Sequence, residues 1–375
     1  MTKKIRVGLV YGGKSGEHDV SLQTALAVIK AFDHAKYEIH PFYITKQGEW
    51  RQGPALTAPA ASKAELTFAS LPDGGGQPGK ASPLAIAPIF GSADASDKSE
   101  GRPLDVVFPL LHGTYGEDGT IQGLLEMADI PYVGAGVLAS AVGMDKVMMK
   151  KLFAQEGLPQ CLFRHFTKAQ WEKNQSFYLM EIETVLGYPC FVKPANLGSS
   201  VGISKARNQE ELLKAVAEAF QFDRKVIVEE LIDAREVEVS VLGNDRPQAS
   251  VPGEIVSSNE FYDYKAKYVD GKSAMIIPAE IPDETKERLQ ALAIRAFEAI
   301  DGSGLSRVDF FLDKTDGSVY INEINTMPGF TPFSMYPMLW AESGKPYGEL
   351  LNDLIELALE RHEAKKAIRY SFDVE

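Results

Sequence analysis

Two strand patterns joined by a tight turn, in the stretch Ser306 to Pro337 (SRVDFFLDKTDGSVYINEINTMPGFTPFSMYP), constrain this chain more than any other segment. Arg307 and Asp309 lie two apart in the first pattern, and Glu323 and Asn325 two apart in the second, so each pair shares one face of its strand. The residues Asp313-Lys314-Thr315-Asp316-Gly317 between them are hairpin chemistry, and Asp313 and Asp316 have no role beyond the turn. Pairing the strands gathers two carboxylates, an amide oxygen and a guanidinium. Such hard oxygen donors hold magnesium while leaving coordination positions to phosphates. A solvated acidic face is the plainer reading of charged residues. Here the neighbours Val308, Phe310, Ile321 and Ile324 are apolar, and Met327-Pro328-Gly329 follows at once, which favours a site for phosphoryl chemistry.

The rest of the chain narrows the class. With 375 residues, 45% hydrophobic and 24% charged, it is long enough for two or three globular domains. A net charge of −13 without clustered Lys and Arg argues against nucleic acid as a partner. Cys161 and Cys190 are the only cysteines, so neither a disulfide framework nor a zinc spacing is expected. The N-terminus runs straight into a strand, and no apolar run of membrane-spanning length occurs, so a cytoplasmic protein with no membrane association is expected.

Periodicity predicts three consecutive α/β or α+β units. The first has strands at Ile5 to Tyr11, Glu38 to Ile44 and Val106 to Leu110, with helices at Ser21 to Phe32 and Gly119 to Met127. Residues 54 to 102, rich in Ala, Pro, Gly and Ser, read as a long surface excursion. A helix at Asp145 to Glu156, strands at Cys190 to Pro194, Val201 to Lys205 and Val226 to Glu230, and a helix at Gln209 to Phe220 make the second. The third has strands at Glu236 to Leu242 and Gly253 to Val256, a helix at Pro282 to Ile300, the hairpin, and a helix at Tyr347 to Lys365.

Several loops are chemically distinctive. Lys193-Pro-Ala-Asn-Leu-Gly-Ser-Ser-Val-Gly sets a lysine before small residues whose backbone N–H groups can wrap phosphate, although a Gly-Ser-Ser-x-Gly turn alone is more often a flexible hairpin. It lacks the Gly-Lys-Ser/Thr of a Walker A loop. Gly12 to Ser21 follows the first strand but does not fit GxGxxG; alone it reads as a helix-capping turn with Glu17 in solvent. His112-Gly113-Thr114-Tyr115-Gly116-Glu117-Asp118-Gly119 is a polar loop at a strand's carboxyl end. Residues 257 to 273 interleave aromatics and charges without periodicity.

These segments together resemble one family. Glu323 to Thr331 closely resembles the ENINTxPGxT segment of the D-alanine–D-alanine ligases of the ATP-grasp superfamily. Lys193 to Gly202 matches their KPxxxGSSVG, and His112 to Gly119 their HGxxGEDG. The resemblance runs from Gly12 through Ser334 and fails only across 54 to 102. It implies a three-domain ATP-grasp fold of the α/β (α+β) class. An N-terminal Rossmann-like substrate-binding domain would span 1–134 and a central domain 135–228. A C-terminal domain at 229–375 would carry an omega-loop lid at 257–273.

The resemblance also implies roles. ATP would lie between the second and third domains, with Lys146 and Lys193 on its phosphates, Lys267 on the γ-phosphate, and Ser200, Glu229 and Asn322 in the nucleotide set. The backbone of Glu230 and Ile232 would read the adenine edge, and Glu236 would accept the ribose hydroxyls. Two Mg2+ (or Mn2+) would sit on Asp309, Glu323 and Asn325. Glu17 would pair with the first D-alanine ammonium, and His112 would lie beside the reacting carboxyl group, with Glu117 fixing its neighbours. Arg307 and the Gly329 N–H would form an oxyanion hole, and Ser334 would hold the second D-alanine carboxylate. Tyr268 would join Ser199 and Glu236 in a triad that locks the lid; lactate-using relatives place phenylalanine or histidine there, so tyrosine points to an amine nucleophile. The implied activity is ATP-dependent ligation of two D-alanine molecules through an acyl phosphate, for peptidoglycan precursors, by a cytoplasmic homodimer. The rivals are a D-alanine–D-lactate ligase and a non-catalytic nucleotide-binding module of the same fold.

Overall fold

The computed structural model describes residues 3–68, 104–198, 201–256 and 274–369. Ser199, Ser200, Lys267 and Tyr268, the 257–273 segment and most of the 54–102 stretch lie outside the described residues.

Strands β1 (Ile5–Gly12), β2 (Tyr37–Ile44) and β4 (Val106–Leu110) are parallel, with β3 (Trp50–Gln52) antiparallel on β2, in the order β3-β2-β1-β4. Their near-continuous apolar runs are what a sheet covered on both faces requires. Helix α1 (His18–Ala31) starts three residues before the expected Ser21, and no side chain caps it. Ser21 is used otherwise: its hydroxyl accepts the Gly12 N–H at 2.8 Å and donates to the Leu110 carbonyl at 2.5 Å, tying together the ends of β1 and β4. The first part of the expected surface excursion is anchored rather than free. Leu56 bridges Ile39, and a 3₁₀ turn at Lys63–Leu66 buries Leu66, whose carbonyl accepts the Tyr11 hydroxyl at 2.9 Å. Helix α2 (Thr120–Met127) follows β4.

A second sheet, antiparallel throughout, runs β5-β8-β6-β7: β5 (Phe163–Thr167), β6 (Cys190–Pro194), β7 (Ser204–Ala206) and β8 (Lys225–Glu230). Helices α5 (Lys168–Val185) and α6 (Gln209–Ala219) back it, and Phe166, Trp171, Val192, Leu212 and Val228 form its own core. The sequence did not reveal β5 or α5, because Phe-Arg-His-Phe-Thr has no clean alternation and α5 buries only Trp171 and Ile182. The strand expected at Val201 to Lys205 forms later and shorter, as β7.

The third sheet runs β12-β11-β9-β13-β14, also antiparallel: β9 (Ala234–Gly243), β11 (Gly253–Val256), β12 (Ala274–Ile276), β13 (Gly304–Asp313) and β14 (Val319–Asn325), with β10 (Gln248–Ala249) on β9. Helix α7 (Asp283–Ala299) covers it, and so do α3 (Val137–Met144) and α4 (Lys146–Gln155). Ala139, Met149 and Phe153 from α3 and α4 share one core with Val239, Val308 and Phe297. The hairpin has an irregularity that a simple alternation hides. Asp309 faces Glu323 but Phe310 faces Ile321, so Asn322 is an extra residue in a β-bulge. The bulge lets Ile321 and Ile324, three apart, both face the core.

Helices α8 (Met335–Glu342) and α9 (Tyr347–Lys366) close the chain. Pro337 sits in the first turn of α8, where no intrahelical bond is lost. Helix α9 packs against β4 and α1, and α8 lies between α9 and β9, so Leu9, Phe108, Phe330, Tyr336, Leu350 and Leu354 belong to one continuous core. Tyr37 donates to Asn352 at 2.6 Å across that junction, and Arg361 donates to the carbonyls of Tyr132 and Gly134. The first and third units are thereby joined through apolar packing, while the second keeps a separate core.

This division predicts that Leu354→Ala lowers stability by about 2–5 kcal/mol, the cost of an unfilled core site. Hydrogen exchange should show protection falling together in β1, β4 and α9 while β8 and α6 keep theirs; loss confined to α9 would refute the shared core.

Candidate active site

The carboxyl ends of β1 and β4 open side by side, the place where parallel sheets hold ligands, and Glu17 and His112 follow directly. His112 is buried, with Nδ1 3.2 Å from the Met327 carbonyl and Nε2 3.4 Å from the Thr24 hydroxyl. A carbonyl can only accept, so Nδ1 carries the proton. Burial, partly opposed by that carbonyl, pulls the pKa down to about 4, and the ring is neutral near pH 7. Glu17 is buried, unlike the solvent position that a bare capping turn would give it. Its carboxylate borders two glycine loops: a Cβ on Gly113 would lie 3.5 Å from one oxygen, and a Cβ on Gly198 3.8 Å from the other. Glu117 accepts the Gly113 N–H at 2.8 Å. Burial first, then the Glu17 charge and more weakly Glu323, push its carboxyl up to about 8 against the pull of Gly113 and Lys146. This acidic corner favours a cationic ligand.

Opposite it, three carboxylates stand in register across three strands. Glu238 on β9 faces Asp309 on β13, which faces Glu323 on β14. Like charges set directly opposite destabilise a sheet. Arg307 offsets this: Nε and Nη2 each donate to one Asp309 oxygen at 2.7 Å, and Nε lies 2.8 Å from Glu238. Asn325 donates to Asp309 at 3.0 Å. Among the described residues no group of three or more His, Cys, Asp or Glu is spaced to hold a metal. Two carboxylates and an amide side by side nevertheless suit a hard cation whose other ligands come from phosphate and water.

The lysines come from the second sheet and from α4. Asp145 caps α4, accepting from the N–H groups of Val147 and Met148 at 3.1 Å, which fixes Lys146 at the helix start. Lys146 donates to the Leu197 carbonyl at 2.9 Å and lies 3.7 Å from Glu323. Lys193 on β6 meets Glu229 on β8 at 2.5 Å, and Lys150, one helical turn after Lys146, meets the other Glu229 oxygen at 3.0 Å. Burial alone would raise the Glu229 pKa; the two ammonium groups outweigh it and hold the carboxyl down at about 2. After the hairpin the chain turns tightly: Ser334 Oγ accepts the Thr331 N–H at 3.0 Å, and a Cβ on Gly329 would meet Ser334 Oγ at 3.1 Å. Phe333 beside it is 82% exposed.

One cleft of about 370 Å³ is lined by Glu17, His112, Lys146, Arg307, Glu323, Asn325, Gly329 and Ser334. Asp309, Asn322, Lys193, Glu229, Glu230, Ile232 and Glu236 do not line it. Glu230 instead ties β8 to the segment before β5, accepting the Leu162 N–H at 2.6 Å, and Glu236 stands on β9 opposite Phe311 and Ile255. Asp313 and Asp316 accept the N–H groups of Thr315 and Ser318 and build the turn. Sequence reading missed two charged residues. Glu238 shares the Glu236 face by simple alternation, and Lys150 repeats Lys146 at i+4, so both carried a positional signal.

Comparison with known proteins places this geometry in context. Residues 6–135 match the family profile described as "D-ala D-ala ligase N-terminus", and residues 152–356 match "D-ala D-ala ligase C-terminus". A D-alanine–D-alanine ligase from Bacillus cytotoxicus is 58% identical over 98% of this chain and 99% of its own, and one from Listeria innocua is 51% identical over 99% and 100%. Among solved structures, the D-alanine–D-alanine ligase of Coxiella burnetii superposes with a TM-score of 0.78 at 33% identity, covering 97% of each chain. A D-Ala:D-Ser ligase from Enterococcus faecalis gives 0.76 at 34%, covering 95% of this chain and 100% of its own.

The acidic corner predicts a pH signature in the ligand-free protein. Glu117 binds its proton more tightly folded, at about 8, than its ordinary carboxyl value of 4.5. Stability is therefore fully present below the ordinary value and falls as pH rises through about 8. In thermal melts, Glu117→Gln should match the parent near pH 5 and gain on it progressively toward pH 8.5; a constant gap would contradict this.

Proposed function

The chain belongs to the D-alanine–D-alanine ligase family, and on that premise we propose that the cleft joins two D-alanine molecules at the expense of ATP. The supporting observation is the polarity of this cleft, acidic at Glu17 and cationic at Lys146 and Arg307, with carboxylates at the hairpin between them. Glu17 takes the ammonium of the first D-alanine. Lys146 and Lys193 hold phosphate oxygens, with Glu229, Asn322, the backbone of Glu230 and Ile232, and the Glu236 carboxylate on the nucleoside side. We place the unit boundaries near residues 134 and 228, with the nucleotide between the second and third units.

Asp309, Glu323 and Asn325 are the ligands for Mg2+ or Mn2+. Bound there, the metal would neutralise charge on the β and γ phosphates. The first D-alanine carboxylate attacks the γ-phosphorus, the bond to ADP breaks, and an acyl phosphate results. The amine of the second D-alanine, its carboxylate held at Ser334, attacks the acyl carbon. Arg307 and the Gly329 N–H receive the charge that develops on the oxygen, a contribution of about 3 kcal/mol per donor at comparable sites. Phosphate leaves, and D-alanyl-D-alanine is formed for peptidoglycan precursors. Neutral His112, held between Met327 and Thr24, keeps the loop of the third unit against the first. No helix among the described residues is long and apolar enough to cross a membrane. A cytoplasmic homodimer completes the proposal.

The test is product analysis by mass spectrometry after incubation with ATP and magnesium, using D-alanine alone and D-alanine paired with D-lactate or D-serine. D-alanyl-D-alanine with one ADP per peptide is the expected outcome. A depsipeptide or a D-seryl product would change the second substrate, and no turnover would favour a nucleotide-binding module. Glu17→Gln should raise the KM for D-alanine about tenfold or more, the loss of one charged hydrogen bond, and leave the KM for ATP unchanged.

A further inference from the structure

Lys150 is 1% exposed, Glu229 2% and Lys193 8%, so the three form a buried row of cation, anion and cation. Each carboxylate oxygen faces one ammonium group: Oε1 lies 3.0 Å from Lys150, an ion pair that leaves this oxygen without a hydrogen bond among the described residues, and Oε2 2.5 Å from Lys193. The set holds one more positive than negative charge. Beyond Glu229, Lys150 meets the Cys161 sulfur at 3.5 Å and the Phe163 ring at 6.0 Å from its centroid, and burial raises that thiol's pKa, which keeps it neutral. A buried unbalanced charge is costly unless something completes it.

We propose that Lys150 is a positioning residue for nucleotide binding: by occupying one oxygen of Glu229 it prevents that carboxylate from neutralising Lys193, which is left with attraction to spare for a phosphate group. This rests on the reading of Lys193 as a phosphate-binding residue. Lys150 does not touch the nucleotide. It acts on the strength of the Glu229–Lys193 pair, and its i+4 relation to Lys146 brings both to the same side of α4. Without Lys150, both oxygens of Glu229 would turn to Lys193, giving a balanced buried pair with less affinity for an anion.

The test is calorimetric titration of the whole protein with magnesium and a non-hydrolysable ATP analogue, in the absence of D-alanine. Lys150→Met should bind the analogue about tenfold more weakly, the scale of one charged hydrogen bond. Its ligand-free melting temperature should hold or rise, because the remaining pair is balanced. Lys150→Arg, which keeps a cation on that oxygen of Glu229, should recover much of the lost affinity. A purely structural lysine would instead lower the melting temperature and leave affinity unchanged, and absence of recovery in Lys150→Arg would equally overturn the proposal. Lys193→Met separates the two levels. If it weakens binding while Lys150→Met does not, the Lys150 inference fails alone; if Lys193→Met has no effect, the reading of Lys193 fails first.

Discussion

The rest of the site depends on the alignment of Glu238, Asp309 and Glu323 across β9, β13 and β14. Three carboxylates in one transverse row repel each other, and a sheet tolerates them only with a cation held in place. Arg307 provides it from the same strand as Asp309, two residues away, so the compensation is built into the register. Planar guanidinium geometry allows the two-point grip on Asp309 that a lysine could not give. The bulge at Asn322 then lets β14 present Glu323 and Asn325 to the row while Ile321 and Ile324 stay in the core.

That register acts far from the hairpin because the third unit is not packed alone. Its last two helices complete the core of the first sheet, and α3 and α4 complete its own. The acidic corner after β1 and β4 and the carboxylate row on the third sheet are therefore fixed relative to each other by apolar contact. Hydrogen bonds refine the junction: His112 to Met327, Arg361 to Tyr132, Tyr37 to Asn352. The second unit, whose sheet has a core of its own, brings Lys193 to this frame and is joined to α4 where Val147 packs with Ala195 and Ile227.

Electrostatically, the cleft divides into regions whose charges are only partly settled by the protein. Glu117 is pushed toward its neutral form by burial and by Glu17, whereas Glu229 is held ionised by two lysines. The opposite shifts mean that each carboxyl meets a different neighbour: Glu117 lies beside the Glu17 carboxylate, and Glu229 between the ammonium groups of Lys150 and Lys193.

Much of this was legible in the sequence, and for physical reasons. The hairpin, the parallel strands of the first unit and helices α6, α7 and α9 follow from alternation, apolar runs and periodic stripes, which are local. Strand alternation supplied Arg307, Glu323 and Asn325, the family resemblance supplied Glu17, His112, Lys146, Gly329 and Ser334, and the fold brings all of them to one cleft. What needed tertiary structure was non-local. Helix α5 is held by a capping box and two buried side chains rather than by an apolar stripe, so no periodicity announced it. The packing of α3 and α4 on the third sheet, the engagement of both Asp309 oxygens by Arg307, and the burial of Lys150 against Glu229 join residues from distant parts of the chain. A lysine or glutamate looks the same in a sequence whether it faces water or a buried partner; only folding decides which charge it meets.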